Sequence, residues 1–120
     1  MNLNNKVIVV TGGFGLLGEA FAKSILERGA ICIIADINLD KKKFKTFKEK
    51  YNDYIFFHKI DITSKASIQK CIVETQKVSG KIDGLVNNAY PRNKNYGKHF
   101  FDVNYNDFKE NLGMNLGGYF

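Results

Sequence analysis

The sequence is poor in cysteine and proline. Its 120 residues contain two cysteines, Cys32 and Cys71, and a single proline. Two cysteines are too few for the disulfide framework of a small secreted protein, and both lie in apolar patterns, so we expect buried, reduced thiols. The 11 glycines and one proline, set against 44% apolar residues, exclude collagen-like, low-complexity and disordered chains. The composition is typical of a globular protein.

Long apolar runs are also missing. No stretch reaches the roughly 18 uninterrupted apolar residues of a membrane-spanning helix, so we expect no membrane partner. Residues 1–6 are polar, and Val7–Val10 is too short for the core of a signal peptide, which predicts a cytoplasmic protein. A length of 120 residues fits one domain, which we place at residues 1–120.

Positive charge is in excess, but it is unevenly distributed. The net charge is +6, from 18 lysines and arginines against 12 acidic residues. Six of the lysines fall within Lys41–Lys50, and the rest of the chain is close to neutral. A basic surface can bind nucleic acid, but this run has the spacing of a solvated helix face, so we expect no nucleic-acid partner. His58 and His99 have no cysteine or carboxylate at metal-ligand spacing, which predicts no metal site.

Strand-like and helix-like patterns alternate along the chain. Short apolar runs bounded by turn residues predict buried strands at 6–11, 31–35, 55–60 and 82–87. Apolar residues at helical spacing predict a helix after each strand. The residues predicted to bound these helices are Asn38, Thr63 or Ser64, and Asn106 at their starts, and Gly29 and Gly80 at their ends.

This alternation predicts an α/β fold, a Rossmann-type doubly wound parallel sheet of strand order 3-2-1-4 with helices on both faces. The pattern of the last helix continues to Phe120 without a C-cap, so we expect a unit truncated after the fourth strand and the helix that follows. Leu85 and Val86 are apolar like an interior strand. We expect the free edge of that strand, and Phe108 on the last helix, to lack part of their core and to favour self-association.

The strongest functional motif is a glycine cluster between the first strand and the first helix. Residues 11–18 read TGGFGLLG, which fits both Gly-x-Gly-x-x-Gly and Thr-Gly-x-x-Gly-x-x-Gly. Glycine lets a pyrophosphate approach the backbone, and the helix N-terminus offers free N–H groups to the anion. The strand before and the helix after are the context that such a motif requires, so we predict a dinucleotide site. The alternative is a turn that only lets helix and strand pack closely.

Acidic residues end the second and third predicted strands. Asp36 lies 18 residues after Gly18, near the ~20-residue distance at which an acid binds the adenosine ribose. Its charge would repel a 2′-phosphate, which favours NAD over NADP, and a turn aspartate is the alternative. Lys41–Lys43 lie nearby, either as a solvated face or as a phosphate clamp. Asp61 could hold the adenine amino group while Ile62 packs on the ring, or Asp61 could cap the next helix.

The chain resembles the short-chain dehydrogenase/reductase family over essentially its whole length. The motifs that carry the resemblance occur in that family's order, and they are the glycine loop, Asp36, the tripeptide DIT at 61–63, the run DGLVNNA at 83–89 and Asn115. The resemblance implies an NAD(P)-dependent oxidoreductase that transfers hydride between NAD(H) and an alcohol or ketone. Asn88 and Ala89 would stabilise the central strand and form the floor of the nicotinamide ribose site. The cofactor-binding residues that it implies are Gly12, Phe14, Gly15, Leu16, Leu17, Gly18, Asp36, Ile37, Asp61, Ile62, Asn88, Ala89 and Tyr90.

The resemblance gives Asn115 a catalytic role. The family's helix asparagine helps to hold a water and the proton relay beside the catalytic lysine, and Asn115 falls on the apolar face of its helix. An asparagine that satisfies only local backbone is the alternative. The family's catalytic serine and Tyr-x-x-x-Lys would lie after Phe120, so we expect them to be absent here and the isolated chain to be inactive. A non-catalytic dinucleotide-binding module, for cofactor sensing or scaffolding, is the alternative function.

Two departures from the family concern its branches and the substrate. The glycine spacing resembles the extended and atypical branches, whereas NNA resembles the common single-domain branch. Tyr90 stands where NNA is usually followed by glycine, and residues 90–96 (YPRNKNY) look like a subset that acts on nucleotide-linked or phosphorylated sugars in flagellin and surface-glycan modification. The resemblance therefore implies a sugar-type small-molecule substrate, with Tyr90, Arg92 and Lys94 at an anionic group, and a homo-oligomer in the full-length form.

Overall fold

Four parallel strands form the centre of the molecule. The computed structural model describes residues 2–120. In chain order the strands are β1 (Val7–Thr11), β2 (Ile31–Asp36), β3 (Ile55–Lys59) and β4 (Gly84–Val86). Each neighbouring pair is parallel, and the strand order is β3-β2-β1-β4. The predicted fold and strand order are confirmed.

Helices form most of the connections between the strands. They are α1 (Leu16–Leu26), α2 (Lys41–Tyr51), α3 (Lys65–Ser79) and α4 (Tyr105–Leu112). Gly80 ends α3 with a φ of +74°, as predicted, and Gly113–Gly117 continues α4 as a π-helical turn. Within residues 2–120, none of these helices has the length and apolar character that crossing a membrane requires.

The sheet has an apolar core on each face. β1 and β2 are buried on both faces, which explains why their sequences read as continuous apolar runs. One core contains Val10, Ala22, Ile25, Cys32, Ile34 and Phe47, and the other contains Val9, Ile33, Ile60, Ile62 and Cys71. Both cysteines are buried and unpaired. Burial raises the pKa of Cys32 to about 12, so its thiol is neutral at physiological pH.

Two of the predicted helix boundaries are wrong. Asp40, not Asn38, caps α2, because its carboxylate accepts a hydrogen bond from the N–H of Lys43 at 3.0 Å. α1 ends at Leu26, before the predicted Gly29, because the chain leaves the helix through a short turn that Gly29 closes with a φ of +82°.

α4 begins next to the predicted Asn106, whereas the extent of β4 differs from the prediction. Asn104 caps α4, and with Asp107 it forms a capping box in which each side chain accepts a hydrogen bond from the other's backbone. Of the two caps predicted for α3, Ser64 is the one used. β4 is shorter than 82–87 because only Gly84–Val86 pair with β1.

β4 and the region of α4 leave apolar side chains exposed. Leu85 is 56% exposed, and Phe108 and Leu116 are 57% and 66% exposed. Within residues 2–120, β4 pairs with β1 alone, so its outer edge carries unpaired backbone groups. The exposure that the sequence predicted for this face is present.

Candidate functional site

A groove lies at the carboxyl-terminal edge of the sheet, where β1 and β4 end side by side. Its volume is about 1050 Å³, comparable with the upper end, about 1,000 Å³, of ordinary ligand sites. The predicted cofactor residues that line it are Gly12, Phe14, Gly15, Leu16, Leu17, Asp36, Asn88, Ala89 and Tyr90. Ile37, Asp61 and Ile62 line an adjoining cleft of about 200 Å³. Gly18 is buried against the loop instead of lining either space.

Three glycines of the loop are required by close packing. Gly12 has a φ of +63°, and a Cβ there would lie 2.9 Å from Cα of Ala89. A Cβ on Gly13 would lie 2.8 Å from Cγ2 of Ile34, and a Cβ on Gly18 would overlap the carbonyl oxygen of Gly12. These positions fit the packing interpretation of the motif, because each would force backbone or core atoms apart if it carried a side chain.

Gly15 does not have this packing role. Its φ of −70° is open to any residue, and a Cβ there would meet only the carbonyl oxygen of Gly12, at 3.2 Å. Gly15 is exposed, lines the groove and caps α1, whose first-turn N–H groups have no acceptor within the helix. The loop therefore keeps a path free of side chains to a helix N-terminus, and this arrangement fits the pyrophosphate of a dinucleotide.

Thr11, at the end of β1, ties the glycine loop to the end of β4. Its hydroxyl oxygen accepts the N–H groups of Asn88 and Ala89, at 3.0 and 3.1 Å. Asn88 returns two hydrogen bonds through Nδ2, to the carbonyl oxygens of Thr11 and Gly12, both at 3.0 Å. This network fixes two walls of the groove relative to each other. Thr11 is not among the predicted site residues, although it opens the glycine motif.

Asp36 is bound to the glycine loop. Its Oδ2 accepts a hydrogen bond from the N–H of Phe14 at 3.1 Å, and Oδ1 has no hydrogen-bond partner within residues 2–120. The carbonyl oxygen of Phe14 accepts one from Nζ of Lys43 at 2.7 Å, and this ammonium pairs with Glu19 at 2.9 Å. The hydrogen bond to Glu19 raises the pKa of Lys43. Lys43, whose side chain is 36% exposed, is therefore held by Glu19 and the loop and is not free to clamp a phosphate.

Asp61 combines a turn-forming role with a position at the cleft. Its Oδ1 accepts both the N–H and the hydroxyl of Thr63, at 2.9 and 2.6 Å, and these hydrogen bonds lower the pKa of Asp61. The capping alternative is wrong, because Ser64 caps α3, and this oxygen of Asp61 instead closes a local turn with Thr63. Ile62 is 7% exposed and packs in the core beneath, so only a small part of it faces the cleft.

Asn115 lies in the π-helical turn after α4, a geometry that is frequent at functional sites. Its Nδ2 donates to the carbonyl oxygens of Pro91 and Asn111, at 3.1 and 2.9 Å. These bonds satisfy local backbone, as the alternative interpretation holds. Oδ1 of Asn115 is buried and lacks a hydrogen-bond partner in the described part of the chain, which leaves one acceptor for a water or a ligand.

Arg92 lines the groove beside two tyrosines. Its guanidinium carbon lies 5.4 Å from the ring centroid of Tyr90 and 4.4 Å from that of Tyr96. Hydrogen bonding with Tyr96 raises the pKa of Tyr90, so this phenol stays protonated at neutral pH. Lys94, the third residue predicted to meet the substrate, does not line the groove. Tyr96 was not predicted, because nothing in the spacing shows that its ring returns to Arg92.

Two tyrosine–lysine pairs do have the Tyr-x-x-x-Lys spacing, so the expectation that the chain lacks this motif is wrong. Tyr90 and Lys94 form one pair, but only Tyr90 lines the groove. Tyr105 and Lys109 form the other, on α4 and outside the groove, with Nζ of Lys109 5.6 Å from the Tyr105 ring centroid. The spacing alone does not make a site, because neither pair brings a phenol and an ammonium into the groove together.

Known proteins are similar in sequence to this chain over most of its length. A sequence model described as short chain dehydrogenase matches residues 6–120. Post-translational flagellin modification protein A of Campylobacter coli is 37% identical over 120 residues, which cover 98% of this chain and 47% of that protein. Sorbitol dehydrogenase of Cereibacter sphaeroides is 36% identical over 89 residues, covering 74% of this chain and 34% of that enzyme.

A solved structure gives the same result for the fold. The 3-ketoacyl-(acyl-carrier-protein) reductase from Brucella melitensis, complexed with NADH, superposes with a TM-score of 0.80 at 28% identity. The match covers 98% of this chain and 47% of that reductase. The chain thus spans about half the length of the flagellin modification protein and of this reductase.

Proposed function

This chain belongs to the short chain dehydrogenase family of oxidoreductases, and we propose that it is the dinucleotide-binding part of an enzyme that transfers hydride between NAD(H) and a sugar-type alcohol or ketone. The observation that carries the proposal is Gly15. Its φ is open to any residue and a Cβ there would meet one backbone atom, the carbonyl oxygen of Gly12 at 3.2 Å, yet as glycine it keeps the groove open at the N-terminus of α1. When bound there, NAD would supply the hydride acceptor or donor.

Different residues of the groove would bind different parts of such a cofactor. First-turn N–H groups at Leu16 and Leu17 are placed to bind the pyrophosphate, whereas the N–H of Gly15 donates to the carbonyl oxygen of Gly12 at 3.0 Å. The free Oδ1 of Asp36 is placed to accept ribose hydroxyls, and Asp61 and Ile62 lie at the cleft for the adenine. Asn88 and Ala89 form the wall toward β4, where we place the nicotinamide ribose.

The site favours NAD over NADP on electrostatic grounds. Asp36 presents a carboxylate where a 2′-phosphate would lie, and its hydrogen bond to Phe14 fixes its position. Lys43 could offset that charge, but it is already paired with Glu19. A 2′-phosphate would therefore lie beside Asp36 and Asp40, with Lys41 as the one lysine of the Lys41–Lys50 run that lines the groove.

A sugar-type substrate in surface-glycan biosynthesis is supported by the relatives. One is named for flagellin modification and another is a sorbitol dehydrogenase. In this chain Tyr90 and Arg92 line the end of the groove near β4, and we place the substrate beside them, with Lys94 on the outer side of the same loop.

The cofactor assignment is tested by comparing Asp36→Asn with the wild-type chain. We expect the wild type to bind NADH more tightly than NADPH in a fluorescence titration. Asp36→Asn should narrow that preference by about tenfold, because it removes the charge that repels the phosphate. Lys77→Gln changes a charge on α3 away from the groove and is the control. Tighter binding of NADPH by the wild type would contradict the assignment.

A non-catalytic dinucleotide-binding module is the second candidate function. The observation that favours it is that, within residues 2–120, neither pair with Tyr-x-x-x-Lys spacing has both its phenol and its ammonium in the groove. Both functions require the same cofactor site. An assay of NADH oxidation distinguishes the oxidoreductase from the non-catalytic module only in a chain that supplies a tyrosine and a lysine placed for proton transfer.

A further inference from the structure

The loop that follows β4 holds an arginine against a pair of aromatic rings that contact each other. The rings of Tyr90 and Tyr96 lie 5.9 Å apart and are nearly perpendicular, at 83°. The guanidinium of Arg92 lies over both. We name these three residues the arginine shelf. Contact with ring faces restrains the planar guanidinium but leaves the N–H donors along its edge available.

The charge of the arginine shelf is not neutralised within the chain. Among residues 2–120, the ion pairs involve other cations, and no carboxylate lies within 4.0 Å of Arg92. Arg92 and Tyr90 line the groove together with Asn88 and Ala89. The groove therefore carries a restrained, unpaired cation on the wall that β4 forms.

A buried carboxylate fixes the loop from the other side. Asp107 is 4% exposed, and it accepts hydrogen bonds from Nδ2 of Asn93 and of Asn95, at 3.1 and 2.6 Å. These two asparagines flank Lys94: one follows Arg92 directly, and the other precedes Tyr96 directly. A loop without regular secondary structure is thus tied to α4 at both sides of its turn.

We propose that the arginine shelf binds an oxyanion of the substrate, a phosphate or carboxylate group, and that Asp107 is the positioning residue that holds the shelf in place. The inference rests on the proposed function, because it gives the substrate class of the same groove. The guanidinium edge matches two oxygens of a carboxylate or phosphate at once, which a neutral hydroxyl cannot reproduce. A restrained guanidinium also loses less side-chain entropy when it binds.

The test is an NMR titration of the ¹⁵N-labelled chain, with and without saturating NAD⁺, using glucose 6-phosphate, gluconate and glucose. We expect one of the two anions to shift the Arg92 side-chain resonances at a concentration at least about tenfold below that of glucose. The anion that saturates first identifies phosphate or carboxylate as the group. Arg92→Gln should abolish this preference and Arg92→Lys should restore part of it. Lys77→Gln, which removes a remote positive charge, should leave it unchanged.

Asp107→Asn tests the positioning role. It should weaken anion binding by about threefold or more while NADH affinity stays within about twofold of the wild type. Asn95→Ala, which removes one side-chain hydrogen bond to Asp107 and leaves the capping box intact, should act in the same direction if Asp107→Asn fails to fold.

Two results would overturn the inference. One is equal binding of glucose and both anions. The other is a loss of NADH affinity in Arg92→Gln as large as the loss of anion affinity, because Arg92 would then be a ligand of the cofactor pyrophosphate. A wild-type chain that binds an anionic sugar but no NADH would contradict the proposed function and leave this inference standing.

Discussion

At the scale of single residues, the glycine loop combines two roles that the motif does not separate. Gly13 and Gly18 let loop, strand and helix pack closely, because a Cβ on either would meet core or backbone atoms. Gly15 faces the open groove and has an ordinary backbone conformation. Binding and folding can therefore be perturbed one at a time within six residues of chain.

We expect Gly15→Ala to lower NADH affinity by about tenfold while the melting temperature stays close to that of the wild type. The added methyl group enters the space that we assign to the pyrophosphate, and its one close neighbour in the fold is the carbonyl oxygen of Gly12, at 3.2 Å. Gly18→Ala is the matched variant, and it should lower the free energy of unfolding by about 1–3 kcal/mol, because its methyl group overlaps backbone. Fluorescence titration and thermal melts give both quantities. Unchanged NADH affinity in a folded Gly15→Ala would make the loop purely structural.

The sequence predicts residues whose role depends on local context, and it misses those that depend on long-range packing. Asp36 could be predicted, because an acid at the end of the second strand has a defined place in this fold. Thr11 and Tyr96 could not be assigned, because their partners lie far along the chain or across a loop without periodicity. For the same reason, Tyr-x-x-x-Lys spacing in the sequence does not identify a catalytic site, because the spacing does not show where the two side chains lie.

At the scale of secondary structure elements, α2 is coupled to the glycine loop through Phe14. The Phe14 ring stacks on Phe57 of β3, with centroids 5.7 Å apart, and meets Phe44 of α2 edge to face at 6.4 Å. Its backbone is held by Asp36 on one side and Lys43 on the other. The loop is therefore set by β2, β3 and α2 together. The amphipathic pattern of α2 predicted its core face but not that one of its lysines crosses to the loop.

We expect Lys43→Met to weaken NADH binding by about threefold and to speed amide hydrogen exchange in residues 12–18. Both effects follow because the hydrogen bond from Nζ of Lys43 to the Phe14 carbonyl oxygen is lost. Lys42→Met is the control, since that exposed side chain makes no ion pair within the described residues. Equal exchange rates in the two variants would show that the aromatic contacts alone hold the loop.

At the scale of the whole molecule, one side of the sheet is less well covered than the other. β3 and β4 each leave one outer edge free, but the apolar side chains of β3 are buried or half-buried, whereas Leu85 of β4 is 56% exposed. The fold class and strand order could be predicted because alternating buried strands and helices admit few arrangements. The short extent of β4 could not, because it depends on how many residues find a partner strand.

We expect the chain to self-associate with rising concentration through this face, as an open apolar edge favours pairing with another strand. Leu85→Lys should shift the sedimentation distribution toward monomer, because a charge on an edge strand opposes pairing. Tyr54→Lys alters a residue of similar exposure, 56%, beside β3 and is the control. A wild-type chain that stays monomeric up to about 1 mM would contradict the expectation.

The central claim is that the groove at the carboxyl ends of β1 and β4 binds NAD(H), and amide chemical shifts during an NAD⁺ titration test it most directly. We expect saturable shifts at Gly12–Gly18, Asp36, Asn88 and Ala89, with half-saturation below about 1 mM, and little change along α3. Shifts that do not saturate, or that fall between α3 and α4 instead of in the groove, would contradict the account.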